Sequence, residues 1–181
     1  MIDPVINGIL EASLALIFLA SGIEKIRDFA WFTEAVRQYR LVPDSVLSPV
    51  AFAVPAAELA FAAGLLYPPS RALAAAGAIA LLLLFALAIG INLARGRREI
   101  DCGCWGPAAQ RSEISGWLVV RNIALALPAG LLLLPDAARA VHWIDFATIG
   151  FATITVLFLF GVFNRLIANA PKLSNLRNSH D

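Results

Sequence analysis

Five apolar stretches divide the chain, at about Pro4 to Ile23, Val46 to Tyr67, Ala72 to Ala94, Ile114 to Leu134 and Ile144 to Phe163. Each is close to the roughly 20 residues that a helix needs to cross a ~30 Å hydrocarbon layer. They are apolar on all sides of the wheel and lack the period-two alternation of a membrane barrel strand. The pattern predicts an all-α fold: a polytopic membrane helix bundle of about five transmembrane helices. The first stretch opens on Asp3 with no Lys or Arg before it, unlike the positively charged start of a cleaved secretory signal, so it is expected to remain as a span.

Between the first two stretches, Phe29, Phe32, Val36 and Tyr39 recur at helical spacing, with Asp28, Glu34 and Arg37 mostly elsewhere on the wheel. This predicts a short interfacial amphipathic helix anchored by Trp31 and Tyr39. Pro43 ends it by pushing Val42 out of the helical region. Residues 169–181 are polar and without period, which predicts a disordered cytoplasmic tail behind a single transmembrane domain, residues 1–168.

Composition narrows the function classes. Apolar residues make up 60% of the chain and charged ones 15%, against roughly 45–50% and 25% in soluble domains. A net charge of +1 with no basic run longer than two residues leaves no footprint for nucleic acid. Membrane lipid is the partner the composition demands. Eleven of the 14 Lys and Arg residues fall in segments that share one side if the amino terminus is outside, and only Arg71 and Arg139 fall opposite, with Arg121 inside the fourth stretch. Basic residues are retained on the cytoplasmic side, so the expected topology in a bacterial inner membrane is amino terminus outside and carboxy terminus cytoplasmic.

One loop has unusual chemistry. Asp101, Cys102, Gly103, Cys104, Trp105, Gly106 and Pro107 follow the third stretch. Two thiols one residue apart can close a small strained disulfide, and Gly103 lacks the Cβ that would obstruct the turn. Strained disulfides are the labile, exchange-competent ones. Arg95, Arg97 and Arg98 upstream, with Lys25 and Arg27 on the same expected membrane face, favour a thiolate at Cys102 or Cys104, while Asp101 opposes it. The competing reading is two small thiols packed in a turn. No metal site is expected, since zinc takes four ligands and the two histidines, His142 and His180, lie elsewhere.

The run from Asp101 to Pro107 resembles the signature of the MauE family of methylamine utilisation membrane proteins, which are related to DoxX. The end of the first stretch, Ser21 to Asp28, followed by Phe29, Ala35, Val36, Tyr39, Leu41 and Pro43, is also similar to the family, as are Pro55, Glu58 and Gly64. The resemblance covers about residues 5 to 135, and Trp105 is a mild departure from a more usual Phe. It implies a role in maturation of the disulfide-rich, quinone-bearing small subunit of methylamine dehydrogenase, beside a thioredoxin-like periplasmic partner, MauD. No cofactor is predicted, and nothing in the sequence identifies a bound quinone. The charge count puts the Cys loop on the cytoplasmic side. Either the pair takes reducing equivalents from inside and passes them across, or the loop folds back into the bundle.

Glu11, Glu58 and Arg121 lie inside apolar stretches, where an uncompensated charge is costly. With Glu58 and Arg121 separated by about 8 Å in depth, the expectation is an Arg121–Glu58 pair, with Glu11 protonated or sharing the site. Pro55 and Pro128 are expected to kink their helices. Ala56, Ala60 and Gly64 form a small-residue seam for helix packing, and Asn92 and Asn122 are candidates to frame the Cys loop. Three functions compete: a thiol–disulfide component assisting an exported client, a small-molecule or proton-coupled transporter with structural cysteines, and a scaffold without chemistry. The absence of two corresponding halves weighs against the transporter.

Overall fold

A computed structural model describes residues 2–97, 100, 114–137 and 139–178, with side chains through residue 166. Its helices are α1 (Pro4–Arg27), α2 (Phe29–Tyr39), α3 (Asp44–Leu65), α4 (Arg71–Ala94), α5 (Gly116–Leu131) and α6 (Trp143–Asn178), with a 3-10 turn at Pro68–Ser70. No strand occurs among the described residues beyond an isolated bridge between Ile2 and Asp136. Among the described residues, four helices, α1, α3, α4 and α6, are long and apolar enough to cross a membrane. The fifth, α5, has 16 residues, about 24 Å of rise, and stops short of the expected Ile114–Leu134 at both ends.

Local chemistry explains the boundaries. The Asp3 carboxylate accepts from the Val5 N–H and Pro4 occupies the first helical turn, where its missing N–H costs nothing. Asp28 separates α1 from α2 and caps the latter by accepting from Trp31 N–H at 3.1 Å. Arg40 then turns the chain in the left-handed region (φ 50°), and Pro43 starts α3. Despite Pro49 and Pro55, α3 is continuous. The helical backbone of α6 runs through Asn178, well into the segment expected to be irregular.

The buried face of α3 reads Leu47, Ala51, Pro55, Glu58, Ala62 and Leu65, steps of three and four that keep one stripe inward. Of the expected small-residue seam, Ala56 and Ala60 are exposed and only Gly64 packs closely, against Ala74 of α4; the main packing face of α3 is the stripe through Glu58. Packing pairs α1 with α3 and α6, and α4 with α5 and α3. A Cβ on Gly77 of α4 would clash with the Phe61 ring of α3, so the absence of a side chain there lets that ring lie against the helix. Large apolar groups face outward, among them Phe52 (64% exposed), Leu73 (78%) and Phe151 (76%). Such surface is at home in lipid rather than water. The protein is a multi-pass membrane helix bundle.

Helix direction alternates, so the bundle has two ends. The first holds Asp3, the α3–α4 turn and the α5–α6 connection. The second holds α2, the α2–α3 connection, the end of α4 and the start of α5.

Candidate functional site

At the second end, α1 turns Leu14, Phe18, Gly22 and Lys25 inward, again at helical steps. Because α1 continues to Arg27, Lys25 is a helix residue facing the bundle rather than a loop charge. A Cβ on Gly22 would meet the Leu59 side chain at 3.0 Å and the Pro55 carbonyl oxygen at 3.3 Å. This bare contact brings α1 onto α3 beside the facing pair. Lys25 Nζ donates to both Glu58 oxygens at 2.7 and 2.9 Å and to Ser21 Oγ at 2.5 Å. Ser21 Oγ donates in turn to Glu58 Oε1 at 3.0 Å. The ammonium lies 5.5 Å from the Phe32 ring centre and 5.6 Å from that of Phe85, so cation–π attraction adds to the ion pair. Lys25 and Glu58 are buried almost completely.

The expected Arg121–Glu58 pair is therefore corrected: the cation at Glu58 is Lys25. A buried carboxylate needs the partner with the best geometry, and Lys25 offers three donors directly across the α1–α3 contact. Arg121 instead donates to Asn164 Oδ1 of α6 at 3.0 Å. Glu11 does not share that site either. It lies toward the first end, where Arg71 donates to it at 2.9 Å and to both oxygens of Asp136 at 3.0 and 3.1 Å. Asp136 also accepts from the Asn7 amide. Arg139 bridges Asp3 and Asp145 at 3.1 to 3.2 Å. Arg71 and Arg139, which the charge count treated only as loop residues, are the clasps of this end.

Helix α2 forms where its pattern predicts and lays its apolar face on the bundle: Phe32 and Ala35 are buried, and Val36 and Tyr39 help line a cavity of about 320 Å³. Ser21, Lys25, Glu58, Arg121 and Asn122 also line it. Asn92 and Asn122 donate to the carbonyls of Ala88 and Leu118 in their own helices, at 3.1 and 2.7 Å. The Asn92 carbonyl also accepts the Arg97 N–H at 3.0 Å. The base of the α4–α5 connection is held by Ile114 N–H donating to the Ile100 carbonyl at 3.2 Å. Ile100 and Ile114 pack with Ile89 and Leu118, flanked by Tyr39. Ile89 and Tyr39 also line the cavity, so connection base and cavity share a wall. Asp101, Cys102, Cys104 and Trp105 lie outside the described residues. Arg27 is exposed in the last turn of α1.

The profile of the family described as Methylamine utilisation protein MauE matches residues 4–135, a stretch that includes both the buried pair and the Cys motif. The chain belongs to the MauE family. Its relatives include the methylamine utilization protein MauE of Methylorubrum extorquens, 40% identical over 162 residues (88% of this chain, 86% of the relative). The protein of the same name from Paracoccus versutus is 39% identical over 158 residues (87% and 84%). That of Paracoccus denitrificans is 40% identical over 136 residues (72% and 73%). No solved structure matches the chain. For this MauE-family protein, a membrane role in methylamine utilisation follows from that membership.

The Lys25–Glu58 pair was the site feature the linear pattern hid. The available signal was the inward register Phe18, Ser21, Gly22, Lys25, which puts a lysine on the same stripe as the core residues of α1.

Proposed function

We propose that the protein is an inner-membrane thiol–disulfide component that assists maturation of an exported, disulfide-rich partner, the methylamine dehydrogenase small subunit, together with a thioredoxin-like periplasmic protein of the MauD kind. The observation that carries the reading is the Cys102-Gly103-Cys104 motif inside the segment matched by a methylamine utilisation family. A thiolate of one protein attacks the disulfide of the other and forms a mixed disulfide, which a second thiol resolves. One dithiol becomes a disulfide as one disulfide becomes a dithiol, so electrons and protons balance without a further reactant. Arg27, Asp101 and Trp105 are the neighbours that tune the thiols in this reading, whereas Lys25, expected to join them, is held by Glu58. The basic-residue split supports an outside amino terminus and a cytoplasmic carboxy terminus.

Trapping tests the reading. In isolated membranes, Cys102→Ser or Cys104→Ser accumulates a covalent adduct that reductant releases, and the double variant accumulates none. Thiols that label equally under oxidising and reducing conditions, with no adduct in either single variant, refute it. A transporter with structural cysteines draws on the ion pair beside a cavity. On that reading the double serine variant retains methylamine-dependent growth.

A further inference from the structure

The cavity between the helices of the second end is built like a ligand site, and nothing in the thiol chemistry uses it. Its volume, about 320 Å³, falls within the roughly 300–1,000 Å³ of small-molecule pockets. Two properties of its wall define the occupant. Aromatic rings approach from several helices: Phe18 of α1, Phe32 and Tyr39 of α2, Phe85 of α4 and Phe160 of α6. Rings on several walls favour a flat conjugated guest, which stacks or meets them edge to face, over a flexible chain.

The polar groups are few and come from different walls. Arg121 of α5 is 8% exposed, and its Nε is buried without a hydrogen-bond partner among the described residues. Its guanidinium donates to the neutral Asn164 amide and interacts with Tyr39, and no carboxylate pairs with it among the described residues. A buried charged donor left unmatched is costly, and an acceptor oxygen on a guest satisfies it. Glu58 and Ser21 line the cavity from α3 and α1. Lys25 and Glu58 neutralise one another, so the positive charge of Arg121 sets the preference for an electron-rich oxygen. Leu41 (37% exposed) and Leu84 (56%) lie on the wall and also on the outer surface. The rim is therefore apolar, suited to a guest that enters from lipid and leaves a tail there.

We propose that this cavity binds a lipid-soluble quinone-class molecule, a flat ring with oxygens on opposite edges, one of which accepts from the Arg121 guanidinium. The proposal concerns binding alone and stands whether or not the cysteines exchange disulfides.

The full chain in phosphatidylcholine nanodiscs is titrated calorimetrically with decylubiquinone, with empty nanodiscs as the blank and palmitate as the second probe. Wild type binds decylubiquinone saturably. Arg121→Gln, which removes the Nε donor and the charge, weakens binding by about tenfold or more. Ala88→Leu, which fills the cavity from α4, weakens it as well, and circular dichroism melting checks that both variants are folded. If a variant does not fold, displacement by a second short-chain quinone, with no displacement by palmitate, supports the proposal on wild type alone. Absence of saturable binding overturns it, as does equal affinity in folded variants. Palmitate binding with the same Arg121 dependence and no quinone binding overturns it in favour of a lipid carboxylate.

Discussion

The two ends of the bundle hold their charges in opposite ways. At the first end, Arg71 and Arg139 each bridge two carboxylates, and the arginines remain 21% and 40% exposed at the side chain. Backbone bonds from Ile2 N–H to the Pro135 carbonyl and from Ala137 N–H to the Ile2 carbonyl stitch the amino terminus to the α5–α6 connection. At the second end, Lys25 and Glu58 sit at 3% and 2% exposure beside a cavity and a partly unmatched arginine. Half-exposed pairs gain little because water already serves those charges. A buried pair is nearly neutral while intact and costly when one partner is lost. The first end is therefore a clasp that tolerates change, and the second is a fixed polar centre in an apolar wall.

The sharpest way to break this contrast is Lys25→Met. It leaves Glu58 buried without its cation, and the expected loss is about 3–5 kcal/mol, seen as a collapse of folded yield in detergent. The double variant Lys25→Met with Glu58→Leu recovers most of that yield, since an apolar pair of similar volume replaces the ions. A double variant no better than the single one shows that the pair is not what Lys25 contributes.

Next in size is Gly22→Val. Its side chain meets Leu59 and the Pro55 carbonyl oxygen, a backbone atom that cannot swing aside, so α1 must lift from α3. Overpacking of this kind costs about 1–3 kcal/mol, and thermal melting in detergent reads it. Unchanged melting shows that α3 yields at its proline without loss.

At the first end, Arg71→Gln removes the bridge to Glu11 and Asp136, and the expected loss is about 1 kcal/mol or less per partly exposed pair. Raising the salt concentration narrows the gap between wild type and this variant, because solvent reaches these charges. The Lys25→Met gap stays the same.

The smallest effect is that of pH on Asp3. The Val5 N–H and the Arg139 guanidinium hold its carboxyl below the usual carboxylate value. A depressed folded-state pKa stabilises the protein above the unfolded value, near about 3.9, and the contribution is lost as pH falls through the folded-state value. Asp3→Asn therefore flattens the decline in melting temperature below about pH 4, without altering it near neutrality in shape.

The linear pattern determined the helices and their order. Continuous apolarity over about 20 residues admits little but a spanning helix, and Phe29 to Tyr39 carried its own period, so α1 to α4 formed close to where they were expected. The Cys motif, too, is legible as a string, because its chemistry lies in adjacent residues. What only the tertiary structure decided is which charges meet. Depth along the membrane suggested Arg121 for Glu58, but depth is one coordinate of three. The bare Gly22 contact and the inward register of α1 put Lys25 there instead, and Arg121 turned to Asn164. Arg71 likewise reads as a loop charge until the alternating helices bring it beside Glu11 and Asp136. Spans follow from the free energy of each segment in lipid, a local quantity, whereas pairing depends on how helices rotate and approach, which many side chains settle together.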